Sequence, residues 1–275
     1  MSAAPTAIVI REIQTLSELT EVEDLQKEIW RVTDREILPA LAMIPMKEVG
    51  GVLLGAFDAG KLIGFSFAFP GIENGKPILH SDMLAVKPDY RSLGLGLQLK
   101  LAQRTHALDK GINTITWTFD PLQALNANLN FGKLGVVSDH YHVNYYGETT
   151  SFLHSTGTDR LWVTWKLDSE WVKERIEQRR SAVIAEEPGS VILRVGEDGE
   201  PVISEHQNVA RLWLEIPGDF NRLVQENIEL AVRWREATRE VFTSAIPAGY
   251  LVKDFEFARS AERNFGRYLL TSDTL

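Results

Sequence analysis

The sequence predicts an α/β (α+β) fold with a larger N-terminal domain, residues 1–167, and a smaller α+β extension, residues 168–275. Three stretches carry that prediction. Residues 79–109 read as a buried strand, a tight glycine-bearing turn and an amphipathic helix. Residues 51–57 and 61–69 read as strands joined by Asp58-Ala59-Gly60, a hairpin turn. TITWTF, Thr114–Phe119, is a strand reached through a helix, so it pairs in parallel with the strand before that helix.

Composition bounds the function. Net charge of −9 argues against a nucleic-acid partner, whose phosphates call for a basic surface. The longest apolar runs, such as 51–57, are far too short to cross a bilayer, and no signal peptide is recognisable, so a cytoplasmic protein is the expectation. The absence of cysteine excludes disulfides, thiolate catalysis and cysteine-bound zinc.

Along the chain, residues 8–13 alternate as a first strand. Thr15 and Glu18 are spaced as a capping box for a helix whose apolar face carries Val22, Leu25 and Ile29. Residues 37–49 are apolar but interrupted by Pro39 and Pro45. Ile63, Phe65, Phe67 and Phe69 share one strand face, with Leu62, Gly64, Ser66 and Ala68 on the other. Asn74-Gly75 turns the chain into a strand over 78–86. Beyond 119 the pattern gives a helix over 122–134 stopped by Gly135, then strands at 141–146 and 161–167. The extension reads as a charged helix over 168–180, a polar break at 186–190, and strands at 191–195 and 212–216. A helix at 223–243 and strands at 250–257 and 267–270 complete it.

The chemistry centres on Tyr90-Arg91-Ser92-Leu93-Gly94-Leu95-Gly96-Leu97, an R-x-x-G-x-G turn at a helix start. Glycines there admit a close ligand, and the first helical N–H groups with the helix dipole favour an anion. Packing glycines at a helix start are the plain alternative. A dinucleotide fold fits less well, because its third glycine would fall at Leu99, and the Walker lysine pattern is absent.

Leu84-Ala85-Val86-Lys87-Pro88-Asp89-Tyr90-Arg91-Ser92-Leu93-Gly94-Leu95-Gly96, with Phe131-Gly132-Lys133-Leu134-Gly135-Val136 after it, resembles the GNAT acyl-CoA N-acyltransferases. The resemblance implies the order β-α-α-β-β-β-α-β-α-β-β over residues 8–167, in a mixed, mostly antiparallel sheet with a V-shaped splay and flanking helices. It implies acetyl-CoA or another acyl-CoA as co-substrate. Backbone N–H groups of Ser92, Leu93, Gly94, Leu95, Gly96 and Leu97 would hold the diphosphate, with Arg91 adding charge or fixing the loop. Pantetheine would pair with the backbone at Leu84, Ala85 and Val86, where an N–H would polarise the thioester carbonyl. Asn126 and Lys133 would contact pantetheine or phosphates, or serve only at the surface. Residues 37–49 would border the acceptor entrance, or simply cover the sheet.

An acceptor ammonium must lose a proton before it attacks. His80 and Asp82, two apart on one strand, are expected on one face. His80 stands where several members of the family carry a catalytic glutamate, and histidine titrates near neutrality. An ordinary strand rim is the alternative for this pair. The family's usual thiolate-protonating tyrosine is replaced by Phe131; Tyr145 is a candidate substitute beside Tyr141, Tyr146 and solvent, with an aromatic packing strand over these tyrosines as the plain alternative. Asp139, His140 and His142 lack a third metal ligand of recognisable spacing, so no metal site is expected.

Thr116–Leu122, Asn144–Gly147 and Asp159–Val163 resemble a bacterial subgroup of similar length, some of whose members are linked to N-acyl or N-succinyl transfer to amino acids. Arg160 is then a candidate for a carboxylate on the acyl group, or a structural partner of Asp159. Asp120 faces the acceptor or caps the next helix. The expected function is transfer of an acetyl or other short acyl group to a small-molecule amine in a ternary complex, with a homodimer left open. A non-catalytic acyl-CoA-binding module and a protein-lysine acetyltransferase are the alternatives. Residues 210–270 echo the last half of the acyltransferase order, suggesting a degenerate half-unit, with an unrelated extension as the alternative.

Overall fold

The computed structural model describes residues 7–147, 155–177, 189–205, 209–259 and 264–272. These fall into two compact units, one within residues 1–117 and one from residue 118 onward. The predicted polar break at 186–190 lies largely outside the described residues, as does the end of the predicted helix 168–180.

The first unit contains β1 (Val9–Glu12), α1 (Leu16–Trp30), α2 (Ala40–Glu48), β2 (Val52–Asp58), β3 (Lys61–Glu73) and β4 (Lys76–Val86). A 3-10 turn (Pro88–Leu93), α3 (Leu95–Asp109) and the start of β5 (Thr114–Phe119) follow. β1 to β4 pair antiparallel in chain order, and β5 joins β4 in parallel. The predicted capping box is present: Thr15 accepts from the Glu18 N–H while Glu18 reaches back to the Thr15 N–H. Pro39 is the N-cap of α2 and Pro45 lies inside it, so the interrupted apolar stretch is helical after all. Both hairpins turn on two residues with positive φ, Ala59-Gly60 and Asn74-Gly75, a geometry that matches strand twist.

Two bulges modify the alternation read from the sequence. Ala56 is registered with Gly64 but Phe57 with Leu62, so β3 holds an extra residue at Ile63. Leu62 therefore joins Phe57, Phe65 and Phe67 in the core under α1 and α2. Phe67 is registered with Met83 but Phe69 with His80, which places the second extra residue at Ser81–Asp82. His80 and Met83 thus share a face, and His80 and Asp82 do not. A one-residue insertion in a period of two flips every side chain beyond it.

The second unit begins at the end of β5. α4 (Ala124–Ala127) runs on as a π-helical stretch (Asn128–Leu134) and stops at Gly135, whose φ of 71° only glycine adopts freely. β6 (Val137–His142), β7 (Arg160–Lys166), α5 (Glu170–Ile176), β8 (Ser190–Val195) and β9 (Pro201–Ile203) come next. β10 (Arg211–Pro217), α6 (Phe220–Glu226), α7 (Ile228–Ala245), β11 (Leu251–Arg259) and β12 (Asn264–Thr271) complete the unit. Pairing gives the order β7-β6-β11-β12-β10-β8-β9, parallel only between β10 and β8.

Two sequence expectations are corrected here. The strand expected at 141–146 starts at Val137 and ends at His142, because Asn144 takes a positive φ and Gly147 N–H donates to its carbonyl, closing a turn. The single helix expected at 223–243 is two, divided at Asn227, whose side chain accepts from the Leu230 N–H and caps α7. Tyr268, Phe131, Phe242 and Phe255 form an edge-to-face aromatic core. Buried guanidiniums fix this unit: Arg235 holds Asp120 through two hydrogen bonds of 2.8 and 2.7 Å, and Arg175 pairs with Asp254.

Candidate active site at the end of β4

β4 and β5 are registered at Leu79↔Ile115 and His80↔Thr116, and the register among the described residues goes no further. On its other edge β4 stays paired with β3 through Leu84↔Ser66, Ala85↔Phe65 and Val86↔Gly64. The β5-facing edge beyond His80 thus has backbone groups available for a ligand. Ala85 buries its side chain in the α1 core, so only its backbone can take part, while Leu84 and Val86 are half-buried.

The chain leaves β4 through the 3-10 turn that carries Arg91, Ser92 and Leu93. Gly94, at φ 71°, ends that turn and is also the N-cap of α3, with no side chain bonded across the cap. The first α-helical bond is Gln98 N–H to the Gly94 carbonyl, so the N–H groups of Leu95, Gly96 and Leu97 precede the ladder and point out of the helix start. Tyr90 anchors the turn by donating to Asp58 Oδ2 at 2.9 Å. Arg91 donates from Nε to the Val86 carbonyl at 3.3 Å, tying the turn to β4. Leu93 and Gly94 are exposed, and Leu95 is in the core. The helix dipole, three outward N–H groups and an uncapped glycine make a cradle for an anion.

The profile of the acetyltransferase (GNAT) family matches residues 18–134. That match spans less than half of the chain and makes this segment similar to the GNAT acetyltransferases. None of the curated proteins matches the chain. Among solved structures, the Salmonella typhimurium yncA protein, described as an acetyltransferase with its cofactor acetyl-CoA, is 15% identical with TM-score 0.49, covering 60% of this chain and 96% of its own. The Escherichia coli ribosomal-protein-S18-alanine N-acetyltransferase is 16% identical with TM-score 0.46, covering 59% and 96%. An Acinetobacter baylyi protein described as an acetyltransferase is 18% identical with TM-score 0.49, covering 62% and 97%.

Within the matched segment, His80 is half-buried, with Nδ1 3.0 Å from Thr116 Oγ1 and its ring against Phe69. Burial, aided by the Lys100 charge, lowers its pKa to about 4, so the imidazole is neutral at neutral pH. Asp82 reaches the surface, yet partial desolvation raises its carboxyl above the ordinary range. The two are near in sequence, but the bulge sends them to different faces.

The sequence reading missed Lys100. It lies on the sheet-facing stripe of α3 with Leu95, Leu99, Gln103 and Ala107, only 2% exposed. Its Nζ donates to Ser81 Oγ at 2.7 Å and sits 3.7 Å from the centre of the Trp117 ring. Burial lowers its pKa to about 7. Its phase with Leu95, Leu99 and Ala107 was the one signal in the sequence, and it does not outweigh the usual reading of a helical lysine as solvated.

The remaining candidates lie in the second unit. Asn126 and Lys133 are exposed on α4 and its continuation. Phe131 is fully buried against Phe119 and Tyr268. Tyr145 stands in the turn after β6, exposed and packed edge-to-face on Tyr146. Tyr141 donates to Asp159 at 2.7 Å, and burial pushes its phenol far up. Arg160 donates to the Asp159 carbonyl and lies over the Tyr146 ring, while the Asp159 carboxylate is held by Arg239. Asp120 accepts from the Leu122 N–H as well as from Arg235, which makes it a cap and an ion-pair partner. His140 Nδ1 bonds Asp139 at 2.6 Å and its ring stacks on His142; among the described residues no group of three such side chains is placed to hold a metal. No described helix is long and apolar enough to cross a membrane.

Proposed function

We propose that this chain is an acyl-CoA-dependent N-acyltransferase that moves an acetyl or other short acyl group, succinyl included, to a small-molecule amine such as an amino acid. The observation that carries this reading is the continuity of two features in the matched segment: the open β4 edge beyond His80 and the uncapped start of α3. The N–H groups from Ser92 to Leu97 would take the diphosphate of acetyl-CoA, with Arg91 fixing the turn. The backbone at Leu84, Ala85 and Val86 would pair with pantetheine and supply the donor that stabilises the oxyanion.

The acceptor attacks as a neutral amine and loses a proton as the C–N bond forms. His80 is available as the acceptor of that proton, because its imidazole is unprotonated above about pH 5. Asp82, with its raised carboxyl at the surface, is suited to pass the proton to water or to orient the amine. Asn126, Lys133 and Tyr145 remain proposed contacts to the two substrates.

Residues 168–275 are read as a C-terminal extension built on a half-unit. β10, α6–α7, β11 and β12 with sheet order β10-β12-β11, and β8 lying parallel to β10, support that reading.

Release of CoA thiol, measured with acetyl- and succinyl-CoA against a panel of amino acids and other amines, tests the activity. Acceptor-dependent release supports it. The buried Phe131, which offers no hydroxyl, favours a second reading as a non-catalytic acyl-CoA-binding module; binding without release under every condition would select that instead.

A further inference from the structure

Lysine is almost never buried without a carboxylate, because removing its charge from water is expensive. Lys100 is buried among Leu95, Leu99 and Ala107, and among the described residues its polar contacts are Ser81 Oγ and the face of Trp117. Their position is informative. The last registered pair of β4 and β5 is His80↔Thr116, and Ser81 and Trp117 are the next residue on each strand. The ammonium therefore sits at the point where the two strands stop pairing. Ser81 also belongs to the β4 bulge.

We propose that Lys100 is a catalytic acid of this site, delivering a proton to the thiolate that leaves the thioester at the parting of β4 and β5. The inference rests on the acyltransferase reading above. In the step, the acceptor nitrogen bonds to the acyl carbon, the C–S bond breaks and its electron pair goes to sulfur. Sulfur takes a proton from the Lys100 ammonium, giving CoA thiol and a neutral amine. The proton shed by the acceptor nitrogen leaves through His80, Asp82 or water, and Lys100 regains one from solvent.

Three observations support the assignment. Phe131 has no hydroxyl and Tyr141 is committed to Asp159, so neither supplies the proton. Burial tunes the lysine to about neutrality, where an ammonium gives up its proton readily. Gln103, one turn further along the same stripe, is fully buried, and neither amide atom has a hydrogen-bond partner among the described residues. An orphaned amide one helical turn from a buried amine puts two polar groups together that an ordered water would satisfy. The ionisable groups near this helix face are Glu12 on β1, engaged with His106, and His80 and Asp82 on β4; the α3-facing positions of β2 and β3, such as Leu54, Ala56 and Ser66, are uncharged.

The test compares the full chain with Lys100→Met and Lys100→Arg. Thermal denaturation reports folding, calorimetry reports acetyl-CoA binding, and kcat is followed from pH 6 to 10. For wild type, kcat falls on the alkaline side as Lys100 loses its proton. Lys100→Met is expected to bind acetyl-CoA within about twofold of wild type and to lose roughly 10²- to 10³-fold in kcat, with the alkaline fall gone. Lys100→Arg, whose guanidinium keeps its proton throughout and cannot pass it to sulfur, is expected to lose kcat as Lys100→Met does, also without the alkaline fall. Wild-type kcat with an unchanged alkaline fall in Lys100→Met overturns the proposal while leaving the acyltransferase reading intact. A loss confined to KM, or altered preference between neutral and carboxylate-bearing acyl groups at unchanged kcat, overturns it too. Failure of the wild type itself to bind acetyl-CoA removes the parent reading instead.

Discussion

Replacing Lys100 with methionine is expected to make the protein more stable. The folded state holds an amine whose proton affinity falls from 10.5 to about 7 on burial. At ~1.4 kcal/mol per tenfold change, that difference corresponds to about 5 kcal/mol of destabilisation at pH 7 and below. Methionine fills nearly the same volume without a charge, but it leaves Ser81 Oγ without its 2.7 Å partner, which costs about 1–3 kcal/mol. The desolvation effect wins, and a net gain of about 3 kcal/mol remains. Its pH dependence has a definite sign. Between pH 7 and 10.5 the unfolded chain binds the extra proton, so wild-type stability rises with pH across that window. The advantage of Lys100→Met is therefore greatest near pH 6.5 and shrinks toward pH 10. Urea denaturation followed by tryptophan fluorescence at pH 6.5, 8 and 9.5 gives both numbers. A variant less stable than wild type at pH 6.5, or a gap that does not change with pH, would refute the reasoning. Retention of a destabilising lysine is what a functional role would produce.

Other consequences are equally open to measurement. Asp120→Ala strands the buried Arg235 guanidinium, which has two hydrogen bonds to that carboxylate, and is expected to cost about 3–5 kcal/mol in denaturant unfolding; a change below 1 kcal/mol would contradict the buried pair. At the α1 cap, the hydrogen bond from Arg11 holds Glu18 at about 2, well under its ordinary 4.5. That contribution is complete above about pH 4.5 and fades as pH falls toward 2, so Arg11→Ala should lower stability at pH 6 by up to about 1 kcal/mol and matter little near pH 2. An NMR titration that finds Glu18 at an ordinary value would dispose of the pairing.

The sequence carried the fold wherever local chemistry and tertiary packing agreed. Thr15 with Glu18 announced the α1 cap, Asn74-Gly75 the turn into β4, and TITWTF the extent of β5 without error. It failed at insertions that a strict period of two cannot register. The extra residues at Ile63 and at Ser81–Asp82 moved Leu62 into the core and separated His80 from Asp82. Tyr145 read as a strand residue because β-propensity ignores the positive φ of Asn144 that closes the turn. The break at Asn227 went unseen because flanking apolar spacing continues across it. At the candidate site, the glycine-bearing turn was legible from residue type alone. Lys100 was not, since a lysine on an amphipathic helix ordinarily marks the solvated side.

The central claim is that the backbone from Ser92 to Leu97 grips the diphosphate of an acyl-CoA. Calorimetric titration of acetyl-CoA into the full chain, repeated with Gly94→Val, tests it most directly. Gly94 holds φ 71°, which a β-branched residue resists, so the substitution distorts the cradle at its cap. The account predicts one equivalent bound by wild type and at least roughly tenfold weaker binding by the variant, at unchanged helical content. No binding by wild type, or equal affinity in both proteins, would contradict it.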